Sequence, residues 1–216
     1  MRKIAIYGAG GFGREVACLI EDINKLDYRW DIVGFFDDVS QAGPIADYKI
    51  LGGINELNDI KEKMCLAVAI GWPDSKKKLI KKITNPLIDF PVIIHPSVIM
   101  SKQVKIGEGS IICAGTIATV NVKIGKYVII NLDCTIGHDA ILDDYCSLMP
   151  GVNISGETEI GEGSFFGTNA LIINRRRVGA NSIIGAGAVV INDIPENCTA
   201  VGNPAKIVKN NINNGK

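Results

Sequence analysis

Two histidines occur in this chain of 216 residues, and one of them, His138, is followed directly by an acid, Asp139. Imidazole titrates near neutrality, so a histidine beside a carboxylate is suited to take a proton from an attacking amine or hydroxyl. A second segment with chemical potential is Gly8-Ala9-Gly10-Gly11-Phe12-Gly13, which follows the apolar run Ile4–Tyr7. A G-x-G-x-x-G turn between a strand and a helix lets an anion approach the helix N-terminus, although a plain tight turn has the same spacing. A third is the pair Asp37 and Asp38 at the end of the apolar run Ile32–Phe36. These carboxylates suit hydrogen bonds from a ribose or base, and they equally suit a solvated turn.

The element that must position His138 is a repeat. From Ile94 in steps of six, the chain places an apolar residue at all seventeen positions up to Val190, with no insertion or deletion. At about half apolar composition the odds of that by chance are roughly one in a hundred thousand. Four residues after each apolar position lies a small or β-branched residue, Arg176 being the exception. Glycine recurs just after the apolar position, at 107, 125, 137, 161, 167, 179 and 185, where special backbone angles or close approach of neighbouring coils would favour it. A period of six with β-branched residues contradicts an amphipathic helix. Each hexad makes one side of a triangular coil, so eighteen residues complete a turn and stacked strands pair in parallel at about 4.8 Å. His138 plus eighteen is Gly156, so the two are expected on one edge of the prism, one strand spacing apart. His95, before Pro96 at the first coil, reads as a structural cap on the prism. Arg175-Arg176-Arg177 reads as a corner bulging into a solvated loop at Arg176, with phosphate binding open for its neighbours.

Ahead of the repeat, Ile4–Tyr7, Ile32–Phe36 and 66–70 read as buried strands, and 14–26 and 74–83 as helices. About 88 residues with three or four strands amount to half of a dinucleotide fold, which favours a mononucleotide.

Composition narrows the function. Basic and acidic residues balance at 23 each, without the excess a nucleic-acid binder carries. No apolar run reaches the roughly 20 residues of a membrane span, and glycines interrupt any signal-peptide core after Met1. A cytoplasmic protein with no membrane or nucleic-acid partner is expected. The six cysteines contain no C-x-x-C pair, so free, mostly buried thiols and no metal are expected. A zinc carbonic anhydrase on such a prism needs three histidines, and the chain has two.

Gly8-Ala-Gly-Gly-Phe-Gly13, Phe36-Asp-Asp38, Ile94-His-Pro96, Thr135-Ile-Gly-His-Asp139 and Val201-Gly-Asn-Pro-Ala-Lys206 together resemble the sugar acetyltransferases of bacterial glycan synthesis. That group includes the UDP-4-amino-sugar (bacillosamine) N-acetyltransferases and the sialic acid O-acetyltransferase type. The resemblance implies a mixed fold. A small α/β Rossmann-like, nucleotide-sugar-binding domain would occupy residues 1–88, and an all-β left-handed parallel β-helix of hexapeptide repeats residues 89–208, ahead of a disordered tail at 209–216. It implies a homotrimer that uses acetyl-CoA without a metal to acetylate the amine of a nucleotide-linked 4-amino-deoxy sugar. The alternatives are O-acetylation of a sugar hydroxyl and a non-catalytic nucleotide-binding prism. By the same resemblance His138 is the general base, Asp139 its acidic partner and the Gly156 amide the donor to the thioester oxyanion. Ser147, Thr168 and Ala186 correspond to CoA contacts. Gly10, Gly11, Phe12, Asp37, Asp38 and Gly71 correspond to nucleotide-sugar contacts. Phe12 and Ser147 stand where the UDP-sugar enzymes carry histidines, and Gly71-Trp72-Pro73 is closer to the O-acetyltransferase side.

Overall fold

A computed structural model describes residues 1–39 and 45–211. The chain divides into two compact units, Met1–Pro96 and Ser97–Lys216.

In the first unit, β1 (Arg2–Tyr7), β2 (Trp30–Phe36), β3 (Ile50–Gly52), β4 (Met64–Val68) and β5 (Ile88–Asp89) form a parallel sheet in the order β3-β2-β1-β4-β5. Helices α1 (Gly11–Leu26), α2 (Ile54–Asn58) and α3 (Pro73–Lys82) connect the strands. Helix α1 forms where the spacing predicts it and buries Val16, Ala17, Leu19 and Ile20. β3, α2 and β5 are too short to show a period and were not expected from the sequence. The strand order reverses between β1 and β4, the switch point at whose carboxyl ends α/β sheets bind ligands.

The second unit is the expected prism of parallel two-residue strands. Residues eighteen apart pair directly, as in Ile117 with Ile99 and with Thr135, or Ile129 with Ser147. From Ile112 to Val190 the apolar hexad position is at most 4 % exposed, and the small residues of the second register, Ser110 to Ala170, are fully buried. The residue three past each apolar position, from Gly109 to Gly187, has a positive φ at every one of its occurrences, with Asp139 at 58°. From Tyr127 to Gly187 its N–H bonds to the carbonyl nineteen residues back, as in Asp139 N to Val120 O at 3.0 Å. These left-handed residues turn the corners. The recurring glycines just after the apolar position answer the second of their two expected reasons, close approach. A Cβ on Gly137 would stand 2.5 Å from the Gly156 backbone nitrogen.

Two expectations are corrected. Arg176 does not open a loop: Arg175 turns the corner at φ 60° like its equivalents, and Glu159 N bonds to Arg176 O at 3.1 Å. Corner geometry is set by the coil's hydrogen bonds rather than by residue type, and Arg176 stays half-buried with its Nε enclosed. Arg175 and Arg177 pair with Glu157 and Glu159, each eighteen residues back. Residues 209 and 210 are not part of a disordered tail, because Lys206–Asn210 pairs antiparallel with Cys198–Val201; residues 212–216 lie outside the described ones. His95, expected as a cap on the prism, has its Nε2 3.2 Å from Asp22 of α1. Cys18 is exposed, whereas the other five thiols are buried as expected.

Candidate active site

At the corner between Thr135–Ile136 and Ile141–Leu142, the left-handed backbone at Asp139 turns both His138 and Asp139 outward, with side chains about half exposed. His138 Nδ1 stands 2.9 Å from Asp139 Oδ2. An ionised carboxylate only accepts, so Nδ1 carries a proton, and in the neutral imidazole the lone pair is on Nε2. Asn121, one coil below, donates its amide to Asp139 Oδ1 at 3.0 Å. The bond from His138, and then that from Asn121, holds the Asp139 carboxyl below the usual aspartate range.

Gly156 lies one coil above, as the eighteen-residue count requires. The imidazole rests against it so closely that a Cβ on Gly156 would come 2.5 Å from His138 Nε2. Gly156 O accepts from Arg175 N at 3.1 Å, and the Gly156 N–H has no acceptor among the described residues. A basic ring nitrogen and an unspent amide donor therefore share one corner. Asn121 escaped the sequence reading, though the same count applied backwards from Asp139 lands on it.

The other candidates fall in separate places. Thr168 and Ala186 are exposed and stacked on a different prism edge, joined by Gly187 N to Thr168 O at 2.8 Å. Ser147 is fully buried, so its side chain has no surface for a ligand and it is not carried further as a CoA contact. In the first unit, Gly10, Gly11 and Phe12 begin α1, while Asp37 and Asp38 end β2 and Gly71 follows β4, all at the carboxyl side of the sheet. Gly8 adopts φ 103°, and a Cβ on Gly13 would collide with the Gly8 carbonyl, so the fold itself demands those two. A Cβ on Gly10 or Gly11 would meet open space, so packing does not explain those glycines. Asp37 Oδ2 accepts from Ala9 N at 2.8 Å and clasps the glycine turn. Asp38 Oδ1 accepts from Ile54 N at 2.9 Å at the start of α2, beside a cavity of about 560 Å³. No group of three or more side chains suited to a metal occurs among the described residues, and none of their helices is long and apolar enough to cross a membrane.

A three-walled parallel β-solenoid with a histidine–acid pair at one corner, together with an α/β unit, defines a sugar acetyltransferase of the hexapeptide-repeat class. Residues 3–83 match the PglD N-terminal domain family. GDP-perosamine N-acetyltransferase of Escherichia coli O157:H7 is 30 % identical over 215 residues, covering 97 % of each chain. The structure of a perosamine N-acetyltransferase mutant from Caulobacter crescentus, in complex with CoA and GDP-perosamine, superposes with a TM-score of 0.90 at 29 % identity, covering 97 % of this chain and 98 % of that one. The acetyltransferase domain of PglB from Neisseria gonorrhoeae gives 0.88 at 33 % identity, over 96 % of this chain and 100 % of that one. The chain belongs to the family of β-helical sugar N-acetyltransferases that contains these enzymes.

Proposed function

We propose that the protein transfers acetyl from acetyl-CoA to the amine of a nucleotide-linked 4-amino-deoxy sugar at the His138 corner. The observation that carries this reading is the juxtaposition of His138 Nε2, freed by the Nδ1–Asp139 bond, with the unspent N–H of Gly156. The amine nitrogen attacks the thioester carbon and Nε2 takes its proton, while the Gly156 N–H donates to the negative charge growing on the thioester oxygen. Collapse breaks the C–S bond, and the proton passes from His138 to the CoA sulfur. Asp139 stabilises the imidazolium in between.

Thr168 and Ala186 hold CoA, and their small side chains leave that edge open to an extended chain. Since that edge is not the His138 edge, one acetyl-CoA reaches both when they come from adjacent prisms, and the protein is a homotrimer. Exposed Ile99, Ile117, Val120 and Leu132 offer the apolar surface for such contact. Gly10, Gly11, Phe12 and Gly71 bind the nucleotide sugar, with Asp37 shaping the glycine turn and Asp38 facing the neighbouring cavity. Both substrates are cytoplasmic compounds, and the protein acts there. An amine acceptor, rather than a hydroxyl, is supported by the perosamine N-acetyltransferases that match the whole chain. Solved structures of the Caulobacter enzyme hold CoA and GDP-perosamine with a histidine replaced by asparagine or alanine.

The test is His138→Ala and His138→Asn, assayed with GDP- and UDP-linked 4-amino sugars against sialic acid. The expected result is a loss of roughly 10²–10⁴ in kcat with an unchanged circular-dichroism spectrum. Wild-type turnover in either variant removes His138 from the mechanism, and tenfold better use of sialic acid overturns the amine. Sedimentation as a 23 kDa monomer rejects the trimer.

A further inference from the structure

The prism wall that begins just after the His138 corner carries an unbalanced charge. Its outward residues stack in the order Lys105, Lys123, Ile141, Glu159, Arg177, each paired directly with the next. Glu159 and Arg177 neutralise one another at 2.9 Å. Lys105 and Lys123 are exposed, directly opposed at about one strand spacing, and joined to no carboxylate among the described residues. Like charges set opposite one another weaken a sheet, so the fold gains nothing from this arrangement. The two lysines share a cavity of about 320 Å³ with Gln103, Asn121, Asp139 and Ile141. Its one acid, Asp139, already accepts from His138 and Asn121 through its two oxygens. What remains is a cationic hollow with amide side chains at its rim, abutting the residue that orients the base.

We propose that Lys105 and Lys123 bind a diphosphate ester, that of the acceptor nucleotide sugar, and so position its amine at His138. The proposal rests on the function assigned above. Acetyl-CoA also carries a diphosphate, but its whole pantetheine arm separates that group from the thioester. In a nucleotide 4-amino sugar a single pyranose ring separates the diphosphate from the reacting nitrogen. A cavity that touches Asp139 is placed for the shorter span.

The experiment measures steady-state kinetics of Lys105→Gln, Lys123→Gln and the double variant, varying nucleotide sugar and acetyl-CoA separately. The double variant is expected to raise KM for the nucleotide sugar at least tenfold and leave KM for acetyl-CoA within twofold. In the wild type that KM should climb with added salt, and in the double variant the climb should flatten. Lys123→Arg, which keeps the cation, should retain the wild-type KM. Thermal melting of each Gln variant should match or exceed the wild type, because a like-charge contact has been removed. An unchanged nucleotide-sugar KM in a folded double variant refutes the site, and a shift confined to acetyl-CoA reassigns the diphosphate to CoA and overturns the proposal. A wild-type protein without activity on any nucleotide amino sugar is a separate failure, that of the proposed function.

Discussion

Gly156→Ala separates the geometry of the proposed base from the stability of the coil. Gly156 does not use a positive φ, so alanine can adopt its backbone, but the new Cβ would stand 2.5 Å from His138 Nε2 and 2.8 Å from Cδ2 and Cε1. The imidazole must yield. Its side chain is 54 % exposed and can swing into solvent. The folded state then loses one exposed bond to Asp139, about 1 kcal/mol or less. The smaller entropy of the unfolded chain returns about 0.4–1 kcal/mol, so the net change is close to zero. Catalysis is less forgiving: a base displaced by about 1 Å costs about 100-fold, or ~2.7 kcal/mol of barrier. Gly137→Ala at the same corner is the control, because its Cβ would meet the Gly156 nitrogen at 2.5 Å and the Ser155 carbonyl carbon at 2.7 Å, backbone that cannot swing away. It should cost about 1–3 kcal/mol, or roughly 3–10 °C in Tm. CoA release can be followed with a thiol reagent. The other five thiols are buried, burial pushing Cys65 up and Cys134 to about 11, and exposed Cys18 adds a constant offset. If Gly156→Ala keeps kcat/KM within threefold of wild type, or melts as early as Gly137→Ala, the placement of the base against Gly156 is wrong.

Asn121→Ala should lower kcat about three- to tenfold without changing KM for acetyl-CoA, because Asp139 then loses the amide that fixes its orientation toward His138; initial rates over a range of both substrates check this. Asp143→Asn should raise Tm at pH 7 by about 1 °C, within the range of surface substitutions. Desolvation, then Asp144, Glu162 and Glu159, raises the Asp143 pKa above the ordinary aspartate value, so the carboxyl favours the folded state while protonated and weakens it once pH climbs through the raised pKa. The advantage of asparagine should therefore vanish in melts below about pH 4.

The prism was legible because its period is strict. One apolar residue every six and one small residue four later gave the coil length, and the coil length gave the partner of His138. The corner residues were equally visible and went unread. Ten of the fourteen left-handed positions from 109 to 187 are glycine, asparagine or aspartate, the types that tolerate positive φ. That register contains both Asp139 and Asn121. Arg176 misled because residue chemistry was weighed above the hydrogen bonds that fix each coil to the next. β3, α2 and β5 were missed since two to five residues carry no measurable period. Ser147 was misplaced because resemblance assigns a role by position, while exposure depends on what covers that position.

The same stacking explains how few residues such a site needs. A side chain on a coil corner inherits its orientation from a left-handed residue and a hydrogen bond to the coil below, so His138 needs no packed core around it. Each neighbour one coil away is fixed by counting: Asn121 beneath Asp139, and Gly156 above His138. The Gly156 N–H has no acceptor among the described residues, and the absence of a side chain at Gly156 lets the imidazole lie beside it. Removing the histidine should therefore leave the coil intact, whereas adding a methyl at Gly137, where the coil has no room, should disturb it. That contrast is the reason activity and stability are expected to part company at two glycines on adjacent coils of the same edge.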